Sequence, residues 1–299
     1  MTNITKSHIG LLTANLLWAF NYPLYHHILP QLATPLTLTT LAVIIAAIMA
    51  QIGDPIKHRE KIDRKDIGKF IIAGLLMSVV RKLFLMSGMA LTNPVDGSII
   101  ITLGPVLVLI LSAAIGVEKL STYKIIGVIL GLAGVTVLIL SSSSDVGGSE
   151  KMLGNFLVFI CAASTAIYMV LFKGLINKYH PRTLMRWLYG MAAIIIIPIG
   201  AKDIIDTNFV NILHNAPFSL FYIITIPAYI PNILLLYSLK NVTPTISSIY
   251  NYIQPVVAAA IAIALGTDHL TPITAISSII IFIGVLFVAK SETLHPLHK

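Results

Sequence analysis

The chain has 299 residues, of which 57% are hydrophobic and only 11% charged. A soluble domain carries about 25% charged residues and no repeated apolar runs of roughly twenty residues, so a water-soluble fold is excluded. The formal net charge of +8 lies in short loops between apolar runs, the pattern of membrane orientation rather than nucleic-acid binding, and the lone Cys161 excludes an internal disulfide or a cysteine metal cluster.

Ten apolar runs predict an all-α polytopic membrane protein, because backbone groups in lipid must find their partners within the segment. Their approximate limits are 8–27, 35–51, 69–91, 95–116, 122–140, 153–173, 182–200, 217–239, 243–265 and 272–289. The first run resembles a signal peptide, but "NYPLYHH" offers no small-residue cleavage site, so a retained span is expected. On it, Trp18, Asn21, Tyr22 and Tyr25 recur at i, i+3, i+4 and i+7, one helical face. The loop "DPIKHREKIDRKDIGK" reads as a solvated connector beside anionic headgroups.

The third run contains "SVVRKLFLM", with Arg81 and Lys82 adjacent. At a rise of 1.5 Å per residue, Arg81 lies roughly 18 Å in from Lys69, past the middle of an apolar core about 30 Å thick. Such residues face a cavity or a partner, since a central Arg or Lys costs about 2.5–3.5 kcal/mol to insert. Neighbours on a helix are about 100° apart, so only one of the two is expected to face a cavity. The fourth run brings Ser98, Thr102 and Pro105, with Asp96 at its mouth, and the fifth presents Gly127, Gly131 and Gly134 for close packing or a dimer contact. Ser164 and Tyr168 follow in the sixth and Arg186 in the seventh. The eighth run aligns Thr225, Tyr229 and Asn232 and carries Pro227 and Pro231, and the ninth aligns Ser247, Tyr250, Asn251 and Gln254 ahead of Pro255. Prolines free backbone carbonyls and permit bends near mid-membrane.

With the N-terminus inside, sixteen Lys and Arg fall on the cytoplasmic side and two, Lys151 and Lys202, outside. This asymmetry places both termini in the cytoplasm. The chain also repeats itself at a spacing of 150. Pro94, Ser98, Ile99, Pro105 and Val106 recur as Pro244, Ser248, Ile249, Pro255 and Val256, and "GVEKL" at 116 recurs as "GTDHL" at 266. Five spans per copy is an odd number, so the second copy is expected upside down, the arrangement of secondary transporters. The expected units are residues 1–145 and 146–299.

"LLWAFNYPLYH" and "LGPVLVLILSAAIGVEKLSTYKIIGVILGLAGVTVLIL", answered by "ASTAIYMVLFK" and "SSIYNYIQPVVAAAIAIALGTDHLTPITAISSIIIFIGVLFVAK", resemble the EamA-type branch of the drug/metabolite transporter superfamily over about residues 8–290. The resemblance implies two EamA repeats, ten helices, cytoplasmic ends and a central cavity opening alternately to either side of the plasma membrane. The chain departs from the family in lacking an arginine in its second helix and in having Asp268 in its second acidic turn.

These readings converge on a secondary transporter, exporter or exchanger, of a small anionic or zwitterionic metabolite, amino acids first. No cofactor, metal or nucleic acid is expected. The partners are a solute and the bilayer, and a monomer suffices although a homodimer is allowed. The solute-binding residues expected are Trp18, Asn21, Tyr22, Arg81, Lys82, Ser98, Thr102, Tyr168, Tyr229, Asn232, Tyr250, Asn251 and Gln254, with Asp96 offsetting part of the positive charge. A cationic-drug carrier would want carboxylates in the spans. An intramembrane enzyme would need a nucleophile–base pair or a metal cluster there, whereas the nine histidines lie at span ends or in loops.

Overall fold

The computed structural model describes residues 2–29, 31–54, 59–92, 100–140, 149–264 and 272–294, and all regular structure among them is helical. In chain order the α-helices are α1 (Asn3–Ala19), α2 (Asn21–Ile28), α3 (Pro35–Ile52), α4 (Ile67–Gly74), α5 (Arg81–Leu91), α6 (Gly104–Ile115), α7 (Thr122–Leu140) and α8 (Ser149–Leu171). Then come α9 (Lys173–Lys178), α10 (Pro181–Asp206), α11 (Phe209–Asn215), α12 (Pro217–Ile224), α13 (Ile226–Leu239), α14 (Pro244–Ile249), α15 (Ile253–Ala264) and α16 (Pro272–Leu294). Pro35–Ile52, Arg64–Leu91, Met152–Leu171, Pro181–Asp206 and Pro217–Leu239 are each long and apolar enough to cross a bilayer, and shorter apolar helices accompany them. Large apolar side chains such as Ile194, Phe221 and Ile276 point outward, as a lipid-facing surface requires.

Local signals explain most helix starts. Thr34, His180 and Thr243 each precede a proline at the first turn and accept a backbone N–H from it, the pairing of polar cap and pre-set φ that opens helices. Gly116 ends α6 at φ +74°, a left-handed conformation that glycine adopts without a Cβ penalty. The seventh span runs on to Asp206, six residues past the expected limit, where Thr207 ends it by giving its N–H to the Ile204 carbonyl and its hydroxyl to the Asp203 carbonyl at 2.6 Å.

Helices break ahead of Pro105 and Pro255, where bends were expected, whereas Pro231 stays inside α13 and the first run, expected to be one span, is split. Phe20 breaks α1 from α2 three residues before Pro23. A 3-10 turn at Tyr250–Tyr252 separates α14 from α15 ahead of Pro255, and a turn at Thr102–Leu103 precedes Pro105 in the same way.

The most extensive packing joins α7 to α16, α1 to α13, α5 to α8 and α3 to α10, followed by α6 with α8, α4 with α10, and α1 with α15 and α6 with α14 alike. In the first pair backbones touch: a Cβ on Gly127 would lie 2.6 Å from the Gly284 carbonyl, and one on Gly284 would lie 2.7 Å from the Gly127 carbonyl. A Cβ on Gly131 would lie 2.2 Å from the Tyr252 ring. The glycine face of α7 is therefore covered by the chain's own helices.

The connector at 59–66 is more than solvated loop. Asp66 accepts hydrogen bonds from Lys69 (3.0 Å), Lys178 (2.7 Å) and the Tyr179 hydroxyl (2.8 Å), and Lys178 also meets Asp63. Asp54 faces the Arg186 guanidinium at 3.3 Å. Glu118 binds Lys124 and accepts from Thr245 N (3.0 Å) and Oγ1 (2.5 Å), tying the α6–α7 corner to the start of α14. Burial works to raise the Glu118 carboxyl. The Lys124 ammonium and the Thr245 and Thr243 hydrogen bonds outweigh it and hold it below the ordinary carboxylate range. Hydrogen bonds to Asp63 and then Asp66 hold the Lys178 ammonium above the ordinary lysine range.

Candidate functional site

Between the helices lies a cavity of about 90 Å³, whose wall includes Trp18, Asn21, Tyr22, Arg81, Lys82, Asn251 and Gln254. Several wall residues stand at or beside breaks in helices. Asn21 stands on the first turn after the α1–α2 break, where its Oδ1 is buried without a hydrogen-bond partner. Asn251 sits in the 3-10 turn before α15.

Arg81 follows a π-helical segment, Leu75–Val80. Its N–H bonds to the Leu76 carbonyl five residues back, so the Met77 carbonyl, which an α-helical Arg81 would have taken, receives the guanidinium Nε instead at 3.3 Å. Single π turns inside α-helices are frequent at functional sites. Arg81 Nη2 then donates to Asn232 Oδ1 at 3.1 Å, and the guanidinium carbon stands 5.3 Å over the Trp18 ring.

The position of Asn232 traces to Pro231. A proline lacks the N–H that would reach the carbonyl four residues back. That carbonyl belongs to Pro227, and Asn232 Nδ2 donates to it at 3.2 Å and to Ala228 at 2.9 Å. With the amide nitrogen committed, the amide oxygen is left to Arg81.

Lys82 turns the other way. It is 7% exposed, and its Nζ stands 5.7 Å over the Tyr189 ring. Arg81 and Lys82 diverge as adjacent helical residues must, yet both reach the cavity wall, where only one was expected to. No carboxylate pairs with either among the described residues. Asp96, the expected counter-charge, lies outside those residues, as does Ser98.

A chain of amides closes the α1 side. Tyr22 donates to Gln254 Oε1 (3.0 Å), Gln254 Nε2 donates to Asn15 Oδ1 (2.7 Å), and Asn15 Nδ2 donates to the Leu11 carbonyl (2.8 Å). Gln254 thus fixes α15 to α1 as well as lining the cavity. Sequence reasoning missed Asn15, although it sits at i with Trp18 and Tyr22 at i+3 and i+7.

Other expected residues stand off the wall. The Tyr250 hydroxyl is 2.7 Å from His8 Nδ1. Tyr229 is half-buried against Gly53, where a Cβ would come 2.5 Å from its hydroxyl. Tyr168 is buried and stacked on Phe172 at 6.2 Å. Thr102 is buried in the turn beside the wall residues Ile101 and Gly104. Asn232 acts on the cavity through Arg81. The wall also takes Tyr25, Cys161, Ser247 and Ser248. Among the described residues no three His, Cys, Asp or Glu side chains converge to hold a metal ion.

A lipid-facing exterior, several helices able to cross a bilayer and a central cavity with polar and charged side chains in its wall define a multi-pass membrane protein of the transporter class. The chain belongs to the EamA-like transporter family, whose model matches residues 5–140 and again 152–290. It is 26% identical over 268 residues to an uncharacterized transporter of Archaeoglobus fulgidus, covering 87% of this chain and 90% of that one. It is 22% identical over 230 residues to the uncharacterized transporter YyaM of Bacillus subtilis, covering 75% and 73%. A solved crystal structure superposes with a TM-score of 0.72 at 18% identity, covering 97% of this chain and 99% of that one, which shows the fold. The protein is a membrane transporter.

Proposed function

We propose that the protein carries a small anionic or zwitterionic metabolite, amino acids first, by alternating access through the central cavity. In this reading ten crossings form two inverted five-helix repeats, residues 1–145 and 146–299, with both termini on the cytoplasmic face of the plasma membrane. The packing supports the repeats. Exchanging the two sets of five spans turns α1–α13 into α8–α5 and α1–α15 into α8–α6, and leaves α3–α10 and α7–α16 as they are. The two matches of one family model support it as well.

The observation that carries the solute class is a cavity wall with two cations and no paired carboxylate among the described residues. A solute carboxylate over Arg81 supplies the missing charge, with Trp18 and Tyr22 as an amphipathic aromatic wall. A cationic solute would meet repulsion and gain nothing from Arg81. Exchange or facilitated efflux fits better than coupling through a buried acid, since none of the described wall residues is acidic.

Bound ligand raises apparent stability by mass action, so purified protein tests this directly. Anionic and zwitterionic solutes are expected to raise the unfolding midpoint, and Arg81→Gln to lower their affinity about ten- to hundredfold, as loss of a charge-assisted hydrogen bond implies. Stabilisation by cations alone, or an unchanged response in Arg81→Gln, would overturn the reading. Labelling of a cysteine at position 60 from outside, in a background lacking Cys161, would overturn the orientation.

A further inference from the structure

Behind the cavity wall, Lys82 stands among hydroxyls that no group satisfies. Ser78 precedes it by one turn on the same helical face, and its side chain is fully buried without a hydrogen-bond partner. The Tyr189 hydroxyl is likewise buried and unpartnered; it faces Ser78 without reaching hydrogen-bond geometry. The buried Tyr168 hydroxyl, from α8, is unpartnered too. Lys82 completes the group, with its ammonium over the face of Tyr189.

Chemistry narrows what such a pocket takes. Hydroxyls can satisfy one another, but an ammonium has three donors and no acceptor. A buried charge is expensive unless it is paired and hydrogen-bonded. The pocket therefore lacks negative charge, and it surrounds that lack with O–H donors. Size narrows it further. Lys82 lines the cavity, whereas Ser78, Tyr168 and Tyr189 are not on the cavity wall. A metabolite in the cavity therefore meets Lys82 alone of the four, and a ligand that also reaches the three hydroxyls has to be far smaller than a metabolite.

We propose that Lys82, Ser78, Tyr168 and Tyr189 bind one small monovalent anion, a halide, with chloride the physiological occupant. The halide compensates the Lys82 ammonium and accepts from the hydroxyls, leaving Arg81 as the cation that meets the solute. Transport then depends on chloride for a reason separate from the charge of the solute.

The test uses the full chain in detergent with no organic solute, so it stands or falls apart from the solute reading. Thermal unfolding is followed while sodium chloride or bromide replaces sodium methanesulfonate at constant ionic strength, the sulfonate being too bulky to sit among buried side chains. The midpoint is expected to rise saturably with halide, by a few degrees, and in proportion to the logarithm of concentration above the dissociation constant. Lys82→Met and Tyr189→Phe should each abolish that rise. Neither should lower the midpoint in methanesulfonate, because one removes an unpaired buried charge and the other an unpartnered hydroxyl. A wild-type midpoint indifferent to halide would overturn the proposal, as would a halide response that survives in Tyr189→Phe and Lys82→Met. Bromide soaked into crystals should give an anomalous peak between Lys82 and Tyr189, and a peak elsewhere would overturn the assignment.

Discussion

At the lysine-rich end of the molecule, Arg186 has Asp54, Lys124 has Glu118, and Lys178 has both Asp63 and Asp66. Within the spans, Arg81 rests on a tryptophan face, a backbone carbonyl and an amide, and Lys82 on a tyrosine face. The same residue types are thus paired in one region and left for something else in the other. The difference separates two uses of charge. Ion pairs at the end hold helix corners together in the empty protein, whereas cations at the centre hold places for anions that arrive. Removing one partner should therefore cost stability at the end and affinity at the centre.

The largest effect expected is at Glu118. Its loss in Glu118→Ala strands the buried Lys124 ammonium and the Thr245 donors, and breaking a buried pair in this way costs about 3–5 kcal/mol. Chemical or thermal unfolding in detergent reads it directly, and a cost under about 1 kcal/mol would mean the α6–α7 corner is not held by this pair. Arg81→Gln should instead leave ligand-free stability within about 1 kcal/mol, since an amide can keep the Asn232 contact. A cost as large as that at Glu118 would erase the comparison.

Acid should reveal the same asymmetry more gently. Glu118 is held below the ordinary carboxylate value, so its contribution is complete above about pH 4.5 and is lost as pH falls through the depressed folded value. Unfolding midpoints should decline on that acid limb, and the decline should flatten in Glu118→Gln. At the alkaline limb the sign reverses. Lys178 is held above the ordinary lysine value, so its contribution is complete below about pH 10.5 and is lost as pH rises further. The smallest effect belongs to Lys178→Met at neutral pH and physiological salt. Lys178 and Asp63 are about half exposed and such pairs are screened, while Asp66 keeps Lys69 and Tyr179. A large loss there would show that exposure is a poor guide to which pairs matter.

Much of this was legible in the sequence because it is local. Apolar runs, polar caps before Pro35, Pro181 and Pro244, and breaks ahead of Pro105 and Pro255 follow from nearest neighbours along the chain. Trp18, Asn21, Tyr22, Asn251 and Gln254 came from helical spacing, and they meet at the cavity. Spacing failed where helices cease to be α-helices. The 3-10 turn at Tyr250–Tyr252 swings Tyr250 away to His8 while Asn251 stays. The π turn at Leu75–Val80 hands the Met77 carbonyl to Arg81, and no rule of 3.6 residues per turn anticipates it. Tyr189 was invisible for another reason. A single tyrosine in "LYGMAAIII" gains meaning only when Ser78 and Lys82, about a hundred positions earlier, are set opposite it.

Pro231, Asn232 and Arg81 carry a consequence for inheritance. The proline deprives a carbonyl, the asparagine repairs the loss, and the repair turns an oxygen toward the arginine. Replacing the proline alone restores the helix and removes the reason for the amide to hold still; replacing the asparagine alone leaves the Pro227 carbonyl orphaned within the bilayer. Drift at either position is therefore penalised until the other follows. Among relatives that keep the arginine, the Pro-Asn pair should pass down as a block across a gap of 150 residues, so that a defect in one helix is remembered by a charge in another.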